Sequence, residues 1–187
     1  MPETLIERAR QGDTDAIAAL YRQYAPAIYR YIAFRVPTDA DAEDLTGEVF
    51  LKMVEALPGY NPSGAPFEAW LYRIAAARVA DFHRRRNRRS FQPLAESLAD
   101  DTPQPEEHLL DQGELDRLRA ALSELTEEQQ TLLLLRFVEN KSHREVAAIL
   151  GKSESAVKTA QYRALTRLSE VLGLPEKVRH YLRGKHD

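Results

Sequence analysis

The residues best suited to chemistry lie in one stretch, Phe67 to Arg89 (FEAWLYRIAAARVADFHRRRNRR). It holds the only tryptophan and ends in six residues of which five are arginine. Guanidinium groups grip phosphates and aromatic rings stack on bases, so this composition suits a nucleic-acid backbone. The plainer reading is an amphipathic core helix with a solvated basic end. A second group is acidic: Asp39, Asp41, Glu43, Asp44 and Glu48. Such carboxylates suggest a cation site, but acid at a helix start is the usual match to the helix dipole. The five histidines form no HExxH pair, and there is no cysteine. No glycine-rich phosphate loop or nucleophile–base signature occurs either. These patterns point away from an enzyme, and no metal or cofactor is expected.

The elements that must position these residues read as helices. Apolar residues at Phe67, Leu71, Ile74, Ala75, Val79 and Phe82 recur at helical spacing. A second face carries Arg73, Ala76, Ala77, Ala80 and Arg84, where small side chains admit another backbone. Upstream, Leu5 to Arg10 reads as a short helix stopped by Gly12, and Asp13 as the cap of a helix to about Arg35. Pro26 interrupts that pattern and predicts a kink or a restart. Thr38 or Asp39 caps a helix over about 40–56. Leu45, Val49, Met53 and Leu57 form its inner side, and Asp41, Asp44 and Glu48 its outer side. Pro58-Gly59 stops it, and Tyr60 to Pro66 (YNPSGAP) is a loop by composition.

From Ser90 to about Pro105 the periodicity vanishes. Residues 91–113 carry six acidic residues and no lysine or arginine, while the flanking segments are near neutral. This predicts a flexible or extended acidic linker. The whole chain has 187 residues and a net charge of −3. Helical pattern resumes near Glu106, with Leu109, Leu115, Leu118 and Leu122 as a seam, and again after Thr126. No strand-period segment, membrane-length apolar run or signal-peptide pattern is present. The expected fold is all-α: a domain over 1–90, a linker over 91–112 and a domain over 113–187. A cytoplasmic location follows most simply.

Residues 142–168 (SHREVAAILGKSESAVKTAQYRALTRL) carry the strongest local motif. Ser142 and Glu145 pair as a capping box, Gly151 ends a short helix, and Ser153 caps the next. This is a helix-turn-helix, whose second helix enters a major groove with its N-terminal residues facing base edges. Glu154, Ser155, Lys158, Thr159, Tyr162 and Arg163 line one side of that helix. Ala156, Val157, Ala160, Ala164, Leu165 and Leu168 point to the core, and Arg167 lies within reach of a phosphate. A plain helical hairpin is the competing reading. The last segment, from Pro175 to about Leu182, predicts a final short helix.

With these motifs in hand, the chain resembles bacterial sigma factors of the sigma-70 family, in the short extracytoplasmic-function group. LIERARQGDTDAIAALYRQY, AEDLTGEVFLKMVEAL, the Phe67–Arg89 stretch and LTEEQQTLLLLRFVENKSHREVAAIL with the helix after it resemble the family's segments in order. The resemblance implies partners: core RNA polymerase, promoter DNA and an anti-sigma factor. It implies that Asp41, Asp44, Leu45 and Glu48 face the polymerase clamp. It implies that Tyr60, Asn61, Ser63, Phe67, Trp70, Arg73, Arg84, Arg85, Arg86, Arg88 and Arg89 meet the downstream promoter element. The loop from Tyr60 to Pro66 would hold a flipped base. Glu154, Ser155, Lys158, Thr159, Tyr162, Arg163 and Arg167 would meet the upstream element.

The sequence departs from the family pattern at three positions. Gly47 stands where glutamine is usual, Ala77 where asparagine is usual, and Ala160 where arginine is usual. By the resemblance, Gly47 removes a polymerase contact and Ala160 a phosphate contact, and Ala77 puts the usual downstream-element preference in question. Two other readings compete with the initiation factor. One is a helix-turn-helix regulator that works without polymerase, and the other is a helical interaction module with no nucleic-acid role.

Overall fold

The N-terminal helices begin where the sequence offers caps. The protein is described here by a computed structural model covering residues 4–90 and 112–175. Thr4 and Glu7 close a capping box on α1 (Leu5–Arg10). The Asp13 carboxylate accepts the Asp15 and Ala16 N–H groups to start α2 (Thr14–Ala33). Thr38 starts α3 (Asp39–Ala56) by accepting from the Asp41 N–H. A 3₁₀ turn at Leu57–Gly59 leads to the loop, and α4 runs from Phe67 to Ser90. At 24 residues α4 is about 36 Å long.

The C-terminal helices repeat the same logic. They are α5 (Gln112–Ser123), α6 (Glu127–Leu133), α7 (His143–Leu150) and α8 (Glu154–Val171). Thr126 with Gln129, and Ser142 with Glu145, form capping boxes, and Ser153 caps α8. Gly151 takes the left-handed conformation (φ 65°) that ends α7, which glycine adopts without a Cβ clash. Between α6 and α7 the chain widens into a π turn at Leu134–Val138. No strand occurs among the described residues.

Several expectations change. Helix α2 runs unbroken through Pro26, with no restart. Proline removes one backbone bond at an exposed position, while buried Leu20 on one side and Ile28, Tyr31 and Ile32 on the other hold both halves in place. The start of the helix expected near Glu106, the acidic linker and the final short helix after Pro175 fall outside the described residues. Leu45 is 2% exposed and packs with Val49 and Met53, so its side chain belongs to the core and not to an outward docking face. Spacing placed it on the inner side of α3, and packing keeps it there. On α8, Ala156 is exposed, and Gln161 takes the inward position expected of an apolar residue.

The two halves share one hydrophobic cluster. Between them runs a polar seam. Arg30 donates to both Glu139 oxygens, at 2.8 and 2.6 Å. The Tyr31 hydroxyl meets Thr131 Oγ1 at 3.0 Å, and Arg35 Nε donates to Gln130 Oε1 at 3.0 Å. Arg119 Nε donates to the Ala33 carbonyl at 3.1 Å, and Lys141 pairs with Glu68 at 2.7 Å.

Candidate nucleic-acid interface

The loop and helix expected to meet the downstream element rest on an aromatic base. Phe67 packs against Tyr24, Tyr60 and Trp70 at ring-centroid distances of 5.4, 5.5 and 5.5 Å, and Tyr60 lies 4.9 Å from Trp70. Such tilted and edge-on pairs suit the ring quadrupoles. Tyr60 and Phe67 are buried, so of these rings only Trp70 and Tyr24 are partly open. Tyr60 and Phe67, expected to meet DNA, therefore act as the floor under the loop. The Tyr60 hydroxyl donates to the Ala65 carbonyl at 2.9 Å and ties the loop's two ends. Burial pushes that phenol's pKa up. Asn61 Oδ1 accepts the Ser63 N–H at 3.0 Å, and the Gly64 N–H reaches the Asn61 carbonyl at 3.1 Å. The result is a fixed turn that presents exposed Asn61 and Ser63 above an aromatic floor.

The basic end of α4 extends past the core. Arg73 and all five arginines from Arg84 to Arg89 are exposed. His83 Nε2 lies 2.8 Å from the Arg35 carbonyl, so it is the donor there and pins α4 to the segment after α2. Asp81 pairs with Arg84 and, at 2.7 Å, with Arg78. The Arg84 hydrogen bond, aided by Arg78, holds the Asp81 carboxyl below the ordinary range. Arg85 lies 3.8 Å from Glu48, which links the acidic face of α3 to the basic end of α4. These exposed pairs are individually weak and leave the guanidinium groups free to move onto phosphate.

On α3, Asp44 is exposed and Glu48 half-buried, both on the outer side. Asp41 is half-buried, and its carboxylate accepts the Thr38 hydroxyl at 2.7 Å. It therefore serves the helix cap before any partner. No group of three or more metal-ligating side chains assembles among the described residues.

The residues expected to meet the upstream element lie on the outer side of α8. Glu154, Ser155, Lys158, Thr159, Tyr162, Arg163 and Arg167 are all exposed, with Tyr162 at 46%. Lys158 leans on Glu154 at 3.6 Å, and Arg167 on Glu170 at 3.6 Å. The Thr159 hydroxyl donates to the Ser155 carbonyl at 3.1 Å, a local bond that DNA contact would replace. The structure thus groups the upstream set on one helix side. The downstream set divides into a buried floor, a turn and a basic helix end.

Sequence reasoning missed the polar groups behind α8. Gln161 is 1% exposed, and its Oε1 accepts from Arg136 Nε at 2.9 Å and meets His143 Nε2 at 3.1 Å. The only signal available was a glutamine falling four residues after Val157 and three before Ala164 on the inward seam.

The Sigma-70 region 2 family profile matches residues 20–89, and the Sigma-70, region 4 profile matches residues 115–168. The ECF RNA polymerase sigma factor BldN of Streptomyces coelicolor is 38% identical over 171 residues, covering 90% of this chain and 64% of BldN. This chain thus spans just under two thirds of BldN's length. SigD of Mycobacterium tuberculosis, also an ECF sigma factor, is 35% identical over 175 residues, covering 90% of this chain and 82% of SigD. Among solved structures, CnrH in complex with the cytosolic domain of CnrY matches with a TM-score of 0.62 at 26% identity, over 90% of this chain and 95% of CnrH. CnrH is a sigma factor of Cupriavidus metallidurans. The chain belongs to the sigma-70 family of RNA polymerase sigma factors, in its extracytoplasmic-function group.

Proposed function

We propose that this chain binds core RNA polymerase and directs it to specific promoters, helping to open the DNA. The observation that carries the reading is the coexistence in one chain of an arginine-ended helix on an aromatic floor and a fully capped helix-turn-helix. Asp44 and Glu48 on the outer side of α3 dock on the polymerase. Asn61 and Ser63 hold an extruded base above the aromatic floor, while Arg73 and the arginines from Arg84 to Arg89 hold the backbone. Unstacking costs a few kcal/mol per step, which phosphate contacts and a base pocket offset. Lys158, Thr159, Tyr162 and Arg163 contact the upstream element, with Glu154 and Ser155 at the groove-facing end and Arg167 on phosphate.

The balance of charge supports a division of labour. Sequence-independent DNA affinity comes from phosphate neutralisation, and a chain of net charge −3 supplies little of it. Polymerase then provides affinity, and this chain provides choice. Catalysis belongs to the polymerase, and the site of action is the cytoplasm. No helix among the described residues is long and apolar enough to cross a membrane. An anti-sigma factor is the expected antagonist, in keeping with CnrH being solved with a CnrY domain.

The test adds the purified chain to core polymerase and measures initiation on a genomic promoter library. Stimulated initiation at a defined promoter set is expected. Tight DNA binding by the chain alone, with no stimulation, would favour the polymerase-independent regulator instead. Glu48→Lys is expected to weaken polymerase association without altering upstream-element binding.

A further inference from the structure

A buried polar clasp stands behind the DNA-facing side of α8. Gln161 sits between Val157 and Ala164 on the inward seam, where both neighbours are fully buried. Arginine Nε can only donate, so the side-chain atom facing it is the amide oxygen. That assignment makes His143 Nε2 a donor as well. Arg136 also donates through Nη1 to the Lys141 carbonyl, at the exit of the π turn. One amide oxygen therefore joins three elements: the π turn, the first residue of α7 and the second turn of α8.

We infer that Gln161 is a positioning residue that sets the rotation of α8 about its axis, and so determines which bases of the upstream element are preferred. The inference rests on the reading of α8 as the upstream-element helix. An aliphatic side chain would fill the seam at any of several rotations, because apolar packing is not directional. Two donors converging on one oxygen allow a single rotation. A helix moves as a rigid body, so turning Gln161 turns Lys158, Thr159, Tyr162 and Arg163 with it. Base contacts depend on placing donors and acceptors within hydrogen-bond geometry, and small misplacements forfeit them. The clasp residues touch no base themselves.

The test uses the full chain with core polymerase and a library randomised in the upstream element. Gln161→Leu is expected to fold and to support initiation, with discrimination between the best and second-best elements falling roughly tenfold, the worth of one good base contact. Gln161→Glu still accepts from both donors, and it should restore the wild-type preference. A merely structural role predicts that all elements weaken together and that glutamate gives no rescue. Unchanged preference in folded Gln161→Leu, beside a shifted preference in Lys158→Ala, overturns the clasp alone. Unchanged preference in both overturns the reading of α8 itself. Should Gln161→Leu fail to fold, Arg136→Lys removes the same Nε contact from the other side, and unchanged preference there also overturns the inference.

Discussion

The interior of the N-terminal half and the seam between the halves are built from different materials. The interior is apolar: Ile32, Val49, Met53, Leu71 and Val79 are each fully buried. The seam is polar, held by Arg30–Glu139, Tyr31–Thr131, Arg35–Gln130, Arg119–Ala33 and Lys141–Glu68. Apolar burial is worth about 25 cal/mol per Å² and responds little to salt. Charged contacts are screened over roughly 8–10 Å at ordinary ionic strength. The difference is one of kind: the interior is held by apolar burial alone, while where the halves meet a few directional pairs are added to the hydrophobic cluster they share. An interface of that kind parts more readily than a core.

The largest effect should come from the interior. Leu71→Ala removes a fully buried side chain at the centre of α4, and large-to-small changes there cost about 2–5 kcal/mol. Thermal unfolding should shift down strongly, with no dependence on salt. A salt-dependent loss would mean that the interior leans on the seam more than the contacts indicate.

The seam should respond next. Glu139 is the most enclosed charge in it, with its side chain 7% exposed, whereas Arg30 is 47% exposed. Glu139→Ala removes both charge-assisted bonds and leaves Arg30 free to re-solvate. The loss is about 1–2 kcal/mol, discounted for that exposure. The expected readout is domain separation. Small-angle scattering should show a larger radius of gyration, and added salt should enlarge the wild type towards the variant. A radius unchanged in Glu139→Ala and in high salt would show that apolar contacts hold the halves together.

Two tyrosines at the seam sharpen the contrast between made and unmade polar contacts. The Tyr31 hydroxyl meets Thr131 and also accepts from Arg35. The Tyr72 hydroxyl, beside it in an edge-on ring pair at 5.2 Å, is buried and finds no hydrogen-bond partner among the described residues. Burial, reinforced by the nearby Glu139 and Glu68 carboxylates, pushes the Tyr72 phenol far up. Tyr31→Phe should cost about 1–2 kcal/mol by orphaning its partners. Tyr72→Phe should be neutral or stabilising by up to about 1 kcal/mol, since it removes an unpaired buried group. Denaturant midpoints of the two variants decide the matter, and equal losses would refute the difference.

Much of this architecture is legible in the sequence because its signals are local. Thr126 with Gln129, Ser142 with Glu145, Gly151 and Ser153 each announce a helix end through residues a few positions apart. The same holds for the apolar spacing of α4 and the exposed side of α8. The seam was not legible, because Arg30 and Glu139 are 109 residues apart and each looks like an ordinary surface charge. Pro26 brings no restart because its cost is local while the burial that overrides it is tertiary. Gln161 carries no sequence signal of its own, because its partners Arg136 and His143 are brought to it only by the fold. The resemblance places Tyr60 and Phe67 against DNA, but it does not report which rings the fold covers, and both are buried.

The smallest effect tests a local signal directly. Glu145 accepts the Ser142 hydroxyl and backbone N–H, both at 2.7 Å. The hydroxyl bond, then the backbone bond, holds the Glu145 carboxyl below its ordinary value of 4.5. A depressed carboxyl contributes stability above the unfolded pKa and loses it as pH falls through the folded value. Wild-type stability should therefore decline on acidification from about pH 4.5 downward at this position. Glu145→Gln keeps an oxygen acceptor for the capping box but cannot titrate. Its unfolding free energy at neutral pH should stay close to wild type, while the acid limb becomes shallower. An identical acid limb in the two proteins would show that the cap contributes through shape alone.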